Sequence, residues 1–234
     1  MTPHAIEPEQ RTAAKVAGFM YLLAMATSIF AYYTRSQLVV GGDAVQTARN
    51  IMASEQLFRL SIVIDLITAS MDVLLLWALY VVLRPINKNV ALLAAFWRVG
   101  ECAILAVASL NDFTALRFLG GAEYLRAFDT QQLQALARLF FGAQRSGFSI
   151  GFLFLGLGST VFSYLWLKSR YIPRSLAAWG IFSSLVFTIV TLAIMVFPRI
   201  ATILSLSYMA PMFIYEVGLG LWLLIKGIQS PRVE

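Results

Sequence analysis

The sequence predicts an all-α protein: a polytopic bundle of six membrane-spanning helices with two short amphipathic helices at the outer face. First, the 234 residues are 59% hydrophobic and 13% charged, with a mean hydropathy of +0.76. Soluble domains are nearer half apolar and about a quarter charged. Second, six apolar runs of about 20 residues have the length that crosses a bilayer as a helix. Third, the basic residues mostly flank these runs.

The six predicted spans belong to one integral membrane domain, residues 1–234. They are residues 16–33, 61–82, 90–112, 146–167, 176–197 and 203–225. With the N-terminus inside, nine basic residues, including all four lysines and Arg232, fall on the inner side and seven on the outer side. The positive-inside rule therefore predicts a multi-pass protein of the cell membrane with both termini in the cytoplasm.

Two outer connections contain helix-start signals. Asp43 precedes an amphipathic run and is a predicted N-cap, and Asp129 and Gln132 have the spacing of a capping box. Continued to Lys168, the second helix would reach about 58 Å, so we expect a bend near Gly142 or Gly147. The two outer helices are interpreted as lids over loop backbone or, alternatively, as substrate gates.

Several function classes are excluded by residue types that are rare here. Cys102 is the only cysteine and His4 the only histidine, which argues against a disulfide, a histidine-ligated metal site and a serine–histidine protease. We therefore expect no cofactor, no metal and no catalytic residue. The net charge of +6 is scattered along the chain, which favours membrane lipids as partners and not nucleic acid.

The fourth span contains two overlapping glycine motifs. Residues 147–151 match G-x-S-x-G, but Ser149 lies in an apolar helix without a histidine partner. The same residues form G-x-x-x-G, which allows close helix packing, either inside the monomer or across a homodimer.

The candidate ligand-binding residues are ionisable side chains within the spans, where a charge costs roughly 2.5–3.5 kcal/mol. Ser61, Asp65, Thr68 and Asp72 form one polar stripe, and Arg98 lies one turn before Glu101. The depth of each ionisable residue in the bilayer can be estimated from its position along its helix, at about 1.5 Å per residue. The estimated depths fall into two levels. The midplane level contains Asp72, Arg98, Glu101 and Glu216; the outer level contains Asp65, Asp112 and Arg145.

Five carboxyl groups meet two arginines in these levels, so some carboxyls are protonated or a cationic ligand balances them. One interpretation is a polar pocket that opens outward and ends at the midplane level. Tyr208 and Tyr215, seven residues apart, either reach the same cavity or face lipid and pack against neighbouring helices. Pro211 would kink the sixth span. The alternative interpretation is that Arg98 only holds three helices together.

The chain resembles a bacterial family of multi-spanning membrane proteins labelled domain of unknown function 4386. The resemblance rests on several short stretches of sequence and on the order in which they follow one another. They are residues 17–23, 53–60, 83–93, 128–136, 173–174, Glu216 and residues 221–224. The resemblance covers nearly the full length and implies an integral membrane protein. It implies no catalytic residue.

Three hypotheses for the function follow. The first is binding of a proton, a cation or a small amphiphilic ligand in the mid-membrane pocket, for transport or sensing. The second is a structural or accessory membrane protein whose ion cluster fixes helix packing. The third, less favoured, is an enzyme that modifies a lipid or isoprenoid with Glu101 or Glu216 as acid–base group.

Overall fold

A computed structural model describes residues 6–204 and 207–229, apart from the side chains of residues 201–203. His4 and Arg232 lie outside these residues. Every regular element in the described part is helical, as predicted. The α-helices are α1 (Pro8–Leu38), α2 (Ala44–Ala53), α3 (Glu55–Leu83), α4 (Lys88–Leu119), α5 (Thr130–Ser169), α6 (Arg174–Val196), α7 (Arg199–Leu204) and α8 (Ala210–Ile225).

Six helical segments are long and apolar enough to cross a bilayer, which confirms the predicted number of spans. They are α1, α3, α4, α5, α6 and the segment Ser207–Ile225. The protein is an integral membrane protein. Several helices extend beyond the apolar runs, and α1 continues to Leu38, five residues past the predicted end of the first span. The orientation of the termini stays a prediction.

The predicted cap at Asp43 is present and begins α2. The Asp43 carboxylate accepts a 2.8 Å hydrogen bond from the backbone N–H of Gln46. The buried side of α2 contains Thr47, Ala48 and Ile51. Of the apolar residues in the predicted amphipathic run, Ala48 is buried, whereas Val45 and Met52 are exposed. This short helix lies between the first and second spans in the chain.

The second predicted short helix is instead the first part of α5. The backbone N–H of Asp129 donates to Gln132 Oε1 at 3.1 Å, which confirms half of the capping box. From there α5 runs through 40 residues without a break, and Gly142 and Gly147 lie inside it. Glycine costs about 1 kcal/mol in a helix but keeps its N–H, so it does not interrupt the hydrogen-bond ladder.

Pro211 does not kink a continuous span, contrary to the expectation. A 3₁₀ turn at Ser207–Met209 leads into α8, and Pro211 lies in the first turn of that helix. The N–H groups of a first helical turn have no intrahelical acceptor. Proline, which lacks an N–H, therefore loses no backbone hydrogen bond at this position. The Pro211 carbonyl accepts a 3.1 Å hydrogen bond from Trp179 Nε1 of α6.

The chain divides into two compact units, and each takes pieces from several helices. Unit 1 comprises residues 1–25, 71–102 and 151–234. Its core contains alanines of α1, aliphatic residues of α3 and large side chains of α5 and α8, including Trp166, Leu219 and Leu223. Gly18 lets α1 approach α8 closely, since a Cβ there would lie 2.7 Å from the Gly220 carbonyl oxygen.

Unit 2 comprises residues 26–70 and 103–150. Its core contains Ile51 of α2, Phe58 and Ile62 of α3, and Phe141 of α5. The rings of Phe58 and Phe141 meet edge to face with their centroids 5.6 Å apart. This core therefore joins the short helix α2 to two spanning helices.

The glycines of α5 pack inside the units. A Cβ at Gly147 would lie 2.6 Å from the Cβ of Ala108, and one at Gly156 would overlap Thr188 of α6. These contacts support the interpretation of the glycine motif as packing within the monomer. A homodimer through this helix stays a prediction.

We expect the Gly18→Ala variant to lower the thermal midpoint of the detergent-solubilised protein by about 5 °C, because rigid backbone atoms of α8 would have to move. The matched control is Gly142→Ala, where a Cβ meets nothing within 4 Å. The control should unfold at the same temperature or slightly higher, since alanine favours helix. Equal midpoints for the two variants would contradict the close contact of α1 and α8.

Candidate ligand site: two buried ion clusters

Three helices of unit 1 supply the first cluster, which we call the Arg98 cluster: Asp72, Arg98, Glu101 and Glu216. Arg98 Nη1 lies 2.9 Å from Glu101 Oε2, one turn along α4. Arg98 Nη2 lies 3.9 Å from Asp72 Oδ1 of α3. Glu216 of α8 is partly exposed and interacts electrostatically with Arg98 and Asp72. The four residues predicted for one level therefore do come together.

Burial makes the charges of this cluster costly. The residues Asp72, Arg98 and Glu101 are 8%, 3% and 2% exposed. Isolated ions in such surroundings would be strongly disfavoured, so the close Arg98–Glu101 contact offsets part of the desolvation of both groups. Arg98 additionally reaches the carboxylate of α3, so it connects two spanning helices.

A glycine makes room for the arginine. A Cβ at Gly158 of α5 would lie 2.5 Å from Arg98 Cγ, so only glycine lets the arginine stem pass along α5. The fourth span was predicted to use its glycines for helix packing, and here one of them accommodates an ionic side chain. Sequence reasoning missed this role because it depends on the rotation of α4 against α5.

Two tyrosines border the Arg98 cluster. Tyr215 is 1% exposed, and its hydroxyl oxygen accepts a 2.8 Å hydrogen bond from Ser163 Oγ. Tyr21 of α1 is 6% exposed and interacts electrostatically with Arg98, Asp72 and Glu216. Tyr21 was not predicted as a site residue; the signal for it was its register with Ala14 and Ala17 on the small-residue face of α1.

Tyr208, the other predicted tyrosine, packs against an aromatic ring. Its ring stacks on Phe187 of α6 with centroids 5.7 Å apart and planes inclined by 20°. A shared cavity for Tyr208 and Tyr215 stays a prediction.

The second cluster lies in unit 2, and we call it the Arg35 cluster: Arg35, Asp65 and Asp112. Arg35 Nε and Nη2 lie 3.0 and 2.9 Å from Asp112 Oδ2. The Nη2 atom also contacts Asp65 Oδ2. The side chains of the three residues are 14%, 10% and 1% exposed in the order given. One guanidinium therefore binds carboxylates from two spanning helices.

This arrangement corrects the place given to Arg145. Arg145 was predicted to share the outer level with Asp65 and Asp112, but the Arg145 side chain is exposed on α5. Arg35 is instead the residue that pairs with the two aspartates. Arg35 was one of the seven basic residues counted on the outer side, because the first predicted span ends at residue 33, before it. The helix continues past that residue, and the two otherwise unbalanced aspartates were the signal that a nearby arginine was needed.

The number of excess carboxyl groups is unchanged by this correction. The Arg98 cluster contains three carboxyls and one guanidinium, and the Arg35 cluster contains two carboxyls and one guanidinium. Within the described residues, no three His, Cys, Asp or Glu side chains are grouped so as to hold a metal ion. Cys102, next to Glu101, is a buried free thiol, in keeping with a role as small apolar filler.

Both clusters lie within the segment that identifies the family of the chain. A family model described as domain of unknown function (DUF4386) matches residues 16–227. The chain belongs to this family. No curated protein and no solved structure matches the chain. The membership agrees with the six spans and covers every residue of both clusters.

We expect Arg35→Met to lower the thermal midpoint by about 10 °C, because removal of one partner from a buried ion cluster leaves uncompensated carboxylates. Arg145→Met is the matched control in the same unit and should change the midpoint by no more than about 1 °C.

A double-mutant cycle separates charge from packing. In an Asp65→Asn, Asp112→Asn background, the Arg35→Met change should cost much less than in the wild type. An undiminished cost in that background would show that Arg35 acts through its hydrocarbon stem and not through the two carboxylates.

Proposed function

We propose that this membrane protein binds a proton or a cationic ligand at the Arg98 cluster, in a polar pocket at mid-membrane depth, and that this binding serves transport or sensing. The observation that carries the proposal is the charge count: three carboxyl groups interact with a single guanidinium.

Two excess negative charges would be very expensive at this position. A single charged side chain costs roughly 2.5–3.5 kcal/mol at the centre of a spanning helix. The cluster reduces this cost most for Asp72 and Glu101, which Arg98 contacts, and less for Glu216, which lies outside ion-pair distance of it. Protonation or a bound cation is the physical means of removing the excess charge.

The arrangement of the oxygens favours a proton over a metal ion. A cation such as Ca²⁺ needs about six oxygen ligands at 2.3–2.6 Å. In the described residues no suitable group of three carboxylates is present. A proton needs only one carboxyl oxygen. An extended organic cation needs a nearby carboxylate but no set of coordinating oxygens.

Glu216 is the carboxyl that we assign to this role. Glu101 and Asp72 lie within 4.0 Å of Arg98, whereas no ion pair within that distance involves Glu216 in the described part of the chain. Glu216 is also more exposed than Asp72, Arg98 and Glu101. A ligand or proton would therefore meet Glu216 first.

One specific observation favours a structural role as the second candidate. Arg98 contacts a carboxylate of α3 and lies against Gly158 of α5, so it connects three helices even without a ligand. In that case Glu216 would be dispensable, and only the Arg98 contacts would matter.

We expect the infrared spectrum of the purified protein at neutral pH to contain the carbonyl stretch of protonated carboxyl groups, and Glu216→Gln to weaken this band measurably. Glu123→Gln is the control, because Glu123 is highly exposed and pairs with Arg126. The proton proposal fails if the band is absent from the wild type or persists in full in Glu216→Gln.

A thermal-shift titration with tetraphenylphosphonium tests the organic-cation form of the proposal. Stabilisation of the wild type that is lost in Glu216→Gln would support it. If neither the infrared band nor the thermal shift depends on Glu216, while Arg98→Met unfolds the protein, the structural role is correct.

A further inference from the structure

Unit 2 contains a cavity of about 320 Å³ that neither ion cluster uses. It lies among α2, the end of α4 and the beginning of α5. Its apolar lining comprises Ala48, Met52, Phe118, Leu119 and Leu133. Binding cavities for small molecules are typically about 300–1,000 Å³ and mainly apolar, with a few polar groups that orient the ligand. The size and lining therefore suit part of an apolar chain.

Arg49 is the charged residue of this lining, and its side chain is exposed. Acidic groups nearby in the sequence are engaged elsewhere: Glu55 pairs with Arg59 at 2.7 Å, and Asp43 caps α2. No ion pair within 4.0 Å involves Arg49 among the described residues. An acidic group on a ligand would supply the missing partner.

The polar groups of the cavity have the chemistry of an acidic head group site. A guanidinium forms paired hydrogen bonds with a carboxylate or phosphate. Thr130 and Gln134, on the first turns of α5, also line the cavity and add a hydroxyl and an amide. Apolar surface next to these groups selects a ligand that is both apolar and anionic.

The position of α2 indicates where such a ligand comes from. This helix lies in the chain between the end of the first span and the start of the second, so we expect it at the membrane surface. Its buried side includes the apolar residues Ala48 and Ile51. Short amphipathic helices of this kind lie at the boundary of head groups and acyl chains. Lipids reach that boundary by lateral diffusion.

We propose that this cavity binds an anionic membrane lipid, with its acidic head group on Arg49 and part of an acyl chain on the apolar lining. The proposal is independent of the Arg98 cluster and assigns α2 a role in lipid recognition. It requires both the guanidinium and the free volume, and each can be removed separately.

The experiment is native mass spectrometry of the full chain from detergent micelles supplemented with dioleoyl phosphatidylglycerol or dioleoyl phosphatidylcholine. We expect preferential retention of phosphatidylglycerol by the wild type. Arg49→Gln should reduce it about tenfold, the effect of losing a hydrogen bond to a charged group. Met52→Trp, which fills the cavity and keeps the charge, should reduce it as well.

Arg145→Gln is the matched control, since Arg145 is exposed in the same unit but does not line the cavity. It should change retention by less than about twofold, as expected for a distant surface charge. Equal retention of the two lipids by the wild type would overturn the proposal. An equal loss in Arg49→Gln and Arg145→Gln would also overturn it, because it would indicate general surface charge. Thermal midpoints verify that all variants are folded.

Discussion

Arg98 lies between carboxylates of the same helix and of a neighbouring helix, and the packing around it follows from the need to pair charge away from water. The contact with Glu101 sets the side-chain direction along α4, and the contact with Asp72 fixes the face that α3 turns toward it. Gly158 of α5 then has to be small. The same rule explains unit 2, where Arg35 holds Asp65 and Asp112. In a medium that cannot solvate ions, these contacts restrict which helix faces can meet.

Much of the fold could be predicted because the membrane imposes local requirements on the sequence. A span must be apolar for about 20 residues, and ionisable residues within it must find partners. These requirements predicted six spans and the grouping of Asp72, Arg98, Glu101 and Glu216. The start of α2 was predictable too, since a capping aspartate acts on N–H groups two or three residues away.

The errors arose where a residue's role depends on more distant structure. Arg35 was placed outside the first span because hydropathy marks the apolar core of a helix and not its polar extension. Pro211 looked like a kink because the sequence does not reveal that α8 begins at Ala210. Tyr21 and Gly158 were missed as neighbours of the Arg98 cluster, since their contacts depend on the rotation of whole helices. The register of Tyr21 with Ala14 and Ala17 indicated that it faces other helices, but no single stretch of sequence indicates which side chains it meets there.

The two clusters share an excess of carboxyl groups over guanidinium groups, and the proposed function rests on how the Arg98 cluster balances that excess. The most direct measurement is an experimental density map of the protein in a lipid nanodisc, at a resolution that separates side chains and bound waters. The account predicts Asp72 and Glu101 in contact with Arg98, with Glu216 facing the same space and water or a small molecule beside it. Carboxyl groups that point away from one another, or that lie outside the lipid layer, would contradict it.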